Sequence, residues 1–453
     1  MRLMATCLCV FFFVAANHSF AESDALGRLR GYIEVDTVNP PGNESRGVDY
    51  LAAIFDAAGV AYETAESAPG RGNIWARLKG GDKPALLLLH HIDVVPATRE
   101  TWDSDPLQAV VKNGSLYGRG TLDTKSLGIM QLEAFLALHK SQAIRDRDVV
   151  FMATADEEAG GLFGAGWMIK NRPDAFADVG FLLNEGGLGR RAGEQVFFSI
   201  EVAQKRPYWL RLVATDEPGH GSMPQSTSAP VRLIIALNNI QQAPFEPRIT
   251  PAVREMFRQL APFTEPKWSE QLLNIDDSIG DPDFLKSFQR EQPALHALIR
   301  NTCSITMLIG SQKINVVPPV VSAELDCRIL PDQDADEFLQ AIKSRVNDNN
   351  ISVEEIMLFG AAESSTDNAL YLALEDITRK YYPGAGVITT VAAGFTDSHF
   401  FRDLGIASYG YAPMVIPDDA MTSIHGNNER IGVETFEKGV QMMTELVERF
   451  ATR

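Results

Sequence analysis

His91-Ile92-Asp93, Asp123, Glu157-Glu158, Glu185 and His425 are the side-chain types that hold divalent cations. Imidazole nitrogens and carboxylate oxygens are the usual donors to zinc and its neighbours. A carboxylate left over beside such ions can move a proton. Two metals and one base could polarise a carbonyl, activate a water and carry its proton away. That chemistry is the hydrolysis of a carbonyl derivative.

Such a set works only if the fold gathers it. His91, Glu157-Glu158 and Glu185 each follow a short apolar run, at residues 85–89, 149–153 and 180–183. Unbroken apolar runs of this length suit central strands covered on both faces. In open α/β sheets, sites form beyond the carboxyl ends of the strands. The three runs would therefore deliver their acids and imidazole to one place. Leu127, Met130, Ala134, Phe135 and Leu138 recur at helical spacing and predict a helix packed on that sheet. A further strand is expected at 406–411 and a last helix from Glu434 to about Phe450.

The middle of the chain has a different rhythm. Residues 208–215 alternate like a half-exposed strand, and 227–241 read as a helix. Strands are expected at 303–309 and 320–329, then a helix near 334–347. Residues 243–300, rich in Pro and Asp, read as an insertion. The pattern predicts an α/β catalytic domain over 22–205 and 359–453, with a separate α+β domain at 206–358 inserted into it.

Residues 1–21 read as a secretory signal: Arg2, an apolar stretch over 3–16, and Ser19-Phe20-Ala21 as a small-x-small cleavage site. The stretch is too short to span a bilayer, and no membrane span is expected elsewhere. A secreted or periplasmic location follows as an expectation. The net charge of −18 and the lack of a basic cluster argue against nucleic acid or an anionic membrane as partner. Of four cysteines, Cys7 and Cys9 fall in the signal. Cys303 and Cys327 cannot complete a thiolate zinc site; they are a disulfide or two buried thiols. A hairpin centred near Asn315 would set them opposite one another.

Taken singly, each motif has an ordinary reading. Gly118-Arg119-Gly120 before Asp123 could be a plain turn, and Asp156-Glu157-Glu158 suits a solvated helix start as well as a cation site. No His-Glu-x-x-His or Gly-x-Ser-x-Gly occurs, so the helical zinc-protease and nucleophile-elbow designs are out. Joint occurrence at strand ends favours metal.

In order along the chain stand His90-His91-Ile92-Asp93-Val94-Val95-Pro96, Gly118-Arg119-Gly120 with Asp123, Asp156-Glu157-Glu158 and Glu185-Gly186-Gly187. Then come Gly219-His220-Gly221-Ser222-x-Pro224, Asn315-Val316-Val317-Pro318, Phe395-Thr396-Asp397-Ser398 and Ile424-His425-Gly426-x-Asn428-Glu429-Arg430. Together they resemble the metallopeptidase family that includes aminoacylase, the glutamate carboxypeptidases and succinyl-diaminopimelate desuccinylase. Within it, the chain is most similar to the branch of yeast carboxypeptidase S and the secreted N-acyl-amino-acid hydrolases.

The resemblance implies a mixed-sheet catalytic domain, a lid and dimerisation domain, and two Zn²⁺ per subunit, with Co²⁺ or Mn²⁺ as substitutes. His91, Asp123 and Glu185 would hold one ion, and Asp123, Glu158 and His425 the other. Asp93 would orient His91, Glu157 would be the general base, and the Asp123-Thr124 peptide would be cis. His220 would serve a partner subunit's site in a homodimer. Asn315, Arg328, Gly394 and Thr396 would hold the substrate's carboxylate. Asn184 stands where related sequences often carry Asp. The favoured activity is a carboxypeptidase or dipeptidase acting beside an amino acid with a free carboxylate. An N-acyl-amino-acid amidohydrolase is the alternative, and a non-catalytic binding protein the third reading.

Overall fold

Leu86 and Leu88 belong to one hydrophobic core, while Leu87 and Leu89 belong to another. Val149 and Phe151 divide from Val150 and Met152 in the same way. Strand side chains alternate between faces, so a strand that is apolar at every position must be covered on both. In the computed structural model, which describes residues 23–360 and 363–452, these strands lie at the centre of the main sheet.

That sheet has eight strands, in the order Tyr62–Glu66, Gly72–Leu78, Arg147–Thr154, Lys83–His91, Val179–Ala192, Ala407–Val415, Gln195–Gln204, Gly386–Ala392. Lys83–His91 runs parallel to both of its neighbours, while Gly72–Leu78 pairs antiparallel with Arg147–Thr154. The sheet is therefore mixed, as expected. The helices Lys125–Ser141 and Val433–Ala451 pack together over one face. Ala165–Asn171 covers the other with Phe176 and Phe401. Among the described residues no helix is long and apolar enough to cross a membrane. The expected signal, residues 1–21, lies outside the described residues.

The second sheet is antiparallel, in the order Thr302–Ile309, Val320–Ile329, Arg206–Thr215, Ile351–Leu358. Its core joins Tyr208, Leu210, Leu212, Val321, Ala323 and Leu325 to the helices Ala229–Gln242 and Ala335–Val346. Phe245 stacks on Phe338 of this core, but the helical fragments that follow it turn elsewhere, although they fall within the expected 206–358 span. Val253, Phe257, Trp268, Phe284 and Phe288 join the core of the eight-stranded sheet. Gln259 accepts the Thr389 N–H, so the helix Pro251–Leu260 covers the edge strand Gly386–Ala392. Covering an edge removes a template for unwanted pairing.

One local departure matters for the site. Glu185 does not end a strand: Val179–Ala192 continues past it into a hairpin with Gln195–Gln204. Gly186, at φ +117°, makes that possible, since the left-handed region suits glycine. Beside it, a Cβ on Gly187 would come within 2.3 Å of the Gly410 carbonyl. Cys303 and Cys327 are cross-strand partners and are bonded, with Cα atoms 4.0 Å apart.

The bond closes a loop with a separation of 24 residues. Proteolysis of unreduced protein should recover the Cys303 and Cys327 peptides joined, parting only on reduction. Replacing both by Ser should cost about 3 kcal/mol of stability in urea denaturation. Separate peptides without reduction would show that the bond does not form.

Candidate active site

Asp123 offers one carboxylate oxygen to each of two imidazoles. Oδ1 lies 3.0 Å from Nε2 of His91, and Oδ2 lies 3.0 Å from Nε2 of His425. Glu185 stands 3.7 Å from the same nitrogen of His91, and Glu158 3.2 Å from that of His425. Donor atoms of His91, Glu157 and Glu185 fall within 4.8 Å of one another, as do those of His91, Asp123 and Glu158. The Asp123-Thr124 peptide is cis.

Nδ1 of His91 faces the Asp93 carbonyl oxygen at 2.9 Å. A carbonyl only accepts, so Nδ1 carries a proton and Nε2 is turned into the cluster. The Asp93 carboxylate lies 3.5 Å from Nδ1 and has further partners. It accepts the backbone N–H groups of Glu157 and Glu158 at 3.1 and 3.2 Å and the Asn39 amide at 2.8 Å. Asp93 thus places the two glutamates as well as the histidine.

The three consecutive acids part company. Asp156, in the left-handed region at φ 72°, turns back to pair with Arg71 and accepts the Phe163 N–H. Arg71 also pairs with buried Glu44 at 3.2 Å. Glu157 and Glu158 are left facing the cluster. Their crowding has electrostatic consequences. Burial, then the charge of Glu185, holds the Glu157 carboxyl well above the ordinary range. Burial, then Asp123, pushes Glu158 up to about 7. Hydrogen bonds to Asp123 and Glu158 push His425 up to about 10. Glu158 Oε1 is buried with no hydrogen-bond partner. Four carboxylates, two inward imidazole nitrogens and an orphaned oxygen fit divalent cations.

Glu429 organises the loop that carries Asp123. Its carboxylate accepts the N–H groups of Gly120, Leu122 and Asp123 and pairs with Arg119 at 2.6 Å. Arg119 donates in turn to the Gly426 carbonyl, beside His425. One buried ion pair therefore fixes the backbone of both the Asp123 loop and the His425 turn.

The expected substrate residues divide. Arg328 lies over the Phe395 ring at 5.2 Å, which places it against the Gly394–Thr396 segment. Gly394 is exposed, whereas Thr396 is buried with its N–H and hydroxyl committed to Gln204 Oε1. His220 and Asn315 are exposed and adjacent: Gly221 N–H donates to the Asn315 carbonyl, and His220 pairs with Val316. Among the described residues, neither bonds to the acid cluster. Asp397 carried no separate sequence signal as a site residue. It accepts the Thr154 hydroxyl at 3.1 Å, and burial pushes its carboxyl up to about 8.

Glu429→Ala would leave Arg119 charged and buried with three backbone N–H groups unpaired. The expected loss is about 3–5 kcal/mol in chemical denaturation. A loss under about 1 kcal/mol, the range of an exposed pair, would mean the loop is held by something else.

The model of peptidase family M20/M25/M40 matches residues 87–449. The N-fatty-acyl-amino acid synthase/hydrolase PM20D1 of Homo sapiens is 30% identical over 385 residues, 82% of this chain and 76% of the human protein. Aminoacylase-1 of Sus scrofa is 26% identical over 448 residues, 97% of this chain and 98% of the pig protein. The M20 family metallo-carboxypeptidase Sso-CP2 from Sulfolobus solfataricus shares the fold with a TM-score of 0.72 at 18% identity, over 94% of this chain and 98% of that one. Human carnosine dipeptidase 1 does so with a TM-score of 0.64 at 17% identity, over 93% and 95%. At those identities the two structures speak to the fold. This chain belongs to peptidase family M20/M25/M40 and is a hydrolase of metallopeptidase type.

Proposed function

We propose that this protein is a two-zinc amidohydrolase that cleaves the amide bond of an N-acyl amino acid with a free carboxylate. The observation that carries the reading is Asp123, with one oxygen toward His91 and the other toward His425. His91, Asp123 and Glu185 would hold one zinc, and Asp123, Glu158 and His425 the other. Bound zinc would supply Lewis-acid polarisation of the scissile carbonyl and a lowered pKa for water.

The chain's own groups do the rest. Glu157, buried beside His91 and Glu185, takes the proton of the attacking water and passes it to the leaving nitrogen. Asp93 fixes Glu157 through its backbone N–H and His91 through Nδ1. Arg328 docks the substrate's carboxylate. Its Nη1 is buried without a partner, while its Nε and Nη2 are already bonded to Asp326. That edge of the guanidinium is therefore closed to the substrate.

A peptide remains the second substrate class, with an acyl group now ahead of it. The N-acyl-amino-acid relatives favour that order. So do Leu162 and Phe163, which are 58% and 45% exposed a few residues past Glu158 and would offer an acyl chain an apolar surface.

A homodimer is part of the proposal. The strand Thr302–Ile309 is an edge with Met307, Leu308 and Ile309 exposed, and Ile234 and Ile235 are exposed on the helix Ala229–Gln242. A partner covering both would bring exposed His220 within reach of another site. Sedimentation should return twice the chain mass; a single-chain mass would contradict the dimer. We also place the mature protein outside the cytoplasm, a reading supported by the disulfide. An N-terminus at Glu22 after export would agree with it, and an uncleaved Met1 would not.

Glu157→Gln tests the chemistry. It should keep the metal content and thermal stability of the parent and lose a factor of about 10²–10⁴ in kcat. Normal turnover would place the base elsewhere. Substrate class is tested by kcat/KM for N-acyl amino acids against dipeptides with the same carboxyl-terminal residue. Higher values for the N-acyl amino acids are expected, and higher values for the dipeptides would put the peptide first.

A further inference from the structure

Cys327 is buried between Asp326 and Arg328 on the strand Val320–Ile329. Side chains two apart share a strand face, so Asp326 and Arg328 stand together on the face away from the helices. Arg328 Nε donates to Asp326 Oδ1 at 2.6 Å, and Nη2 donates to Oδ2 at 2.9 Å. Asp326 is itself held. Its Oδ1 accepts the indole N–H of Trp209 at 2.8 Å, and Trp209 is its cross-strand partner. The guanidinium lies 5.9 Å from the Trp209 ring and 5.2 Å from the Phe395 ring. One edge of the fork is thus occupied and both flanks are aromatic. Nη1 is the remaining nitrogen, buried and unpartnered.

We propose that Asp326, with Trp209 behind it, is a positioning residue for recognition of the substrate's carboxylate. It locks Arg328 through the Nε–Nη2 edge and leaves Nη1 as the donor presented to the ligand. This rests on the reading of Arg328 as the carboxylate-binding residue. The arrangement follows from the chemistry of the two groups. A free guanidinium on a long side chain has many rotamers, and ordering it at the moment of binding weakens the grip. A fixed carboxylate settles the rotamer beforehand. It also cancels the charge of Arg328, so the ligand is chosen by the direction of one donor and not by net attraction. In a chain of net charge −18, long-range attraction for an anion is not available in any case.

The test compares a free-acid substrate with its carboxyl-amide in the zinc-loaded full chain. The readout is the ratio of their kcat/KM values. Arg328→Ala should lower that ratio by about ten- to a hundred-fold, the range for a charged hydrogen bond. Asp326→Asn should lower it in the same direction, through the acid far more than through the amide. Trp209→Phe keeps a ring in place but removes the indole donor, and should give a smaller loss of the ratio. The double variant Asp326→Asn/Arg328→Ala should have the ratio of Arg328→Ala alone, because Asp326 acts through Arg328.

If Arg328→Ala lowers the ratio while Asp326→Asn and Trp209→Phe leave it unchanged, the positioning role is wrong and the carboxylate reading stands. If the double variant shows the product of the two single losses, Asp326 acts independently of Arg328 and the proposal is overturned. If Arg328→Ala itself leaves the ratio unchanged, the carboxylate reading falls, and the proposal with it.

Discussion

Asp123, Glu157, Glu158 and Glu185 share one partly buried space, and their mutual repulsion is the constraint on which the rest of the site depends. Donor oxygens of Glu157 and Glu185 lie within 4.8 Å of one another, as do those of Asp123 and Glu158. At an effective dielectric constant of about 20, each such pair costs about 3–4 kcal/mol when both members are charged. Two pairs together approach the whole stability of an ordinary domain, about 5–15 kcal/mol. Protonation can relieve the strain, and the raised carboxyls of Glu157 and Glu158 show that direction. Cations relieve it better, because they leave the carboxylates charged and Glu157 able to accept a proton.

The fold is arranged to impose this crowding. His91 and Thr154 are register partners at the ends of parallel strands, so the donors that follow them emerge side by side. Asp93 and Glu429 then act as two anchors, each a buried carboxylate that accepts backbone N–H groups on the site's own loops. Neither anchor needs to touch a metal to decide where the metal ligands lie. From Thr154, contact passes through Asp397 to Phe395 and so to Arg328 on the second sheet. The acid cluster and the candidate carboxylate pocket are therefore joined by a short chain of packed groups.

Much of this is legible in the sequence, for local reasons. Strands apolar at every position stand out, and the strict alternation within Val320–Ile329 marks a sheet covered on one face. The cross-strand cysteines follow from hairpin symmetry. What escapes has no local signal. Arg71, Glu44 and Asn39 support the site from far along the chain, through ion pairs and amide contacts that leave no periodicity. The left-handed turn at Asp156 separates it from two acids of the same type. Continuation of a strand through Glu185 depends on a glycine that sequence reasoning takes for a strand end. Residues 243–300 show their helical fragments but not which core claims them, since amphipathic helices do not name the surface they cover.

We propose that the acid cluster holds two cations, with Asp123 turned toward both. Crystals of protein purified with zinc and without chelator, measured on both sides of the zinc absorption edge, would reveal them. Two anomalous peaks are predicted, one beside His91 and Glu185 and one beside Glu158 and His425, with Asp123 between them. A single peak, peaks elsewhere, or none in protein that is fully active would contradict the claim.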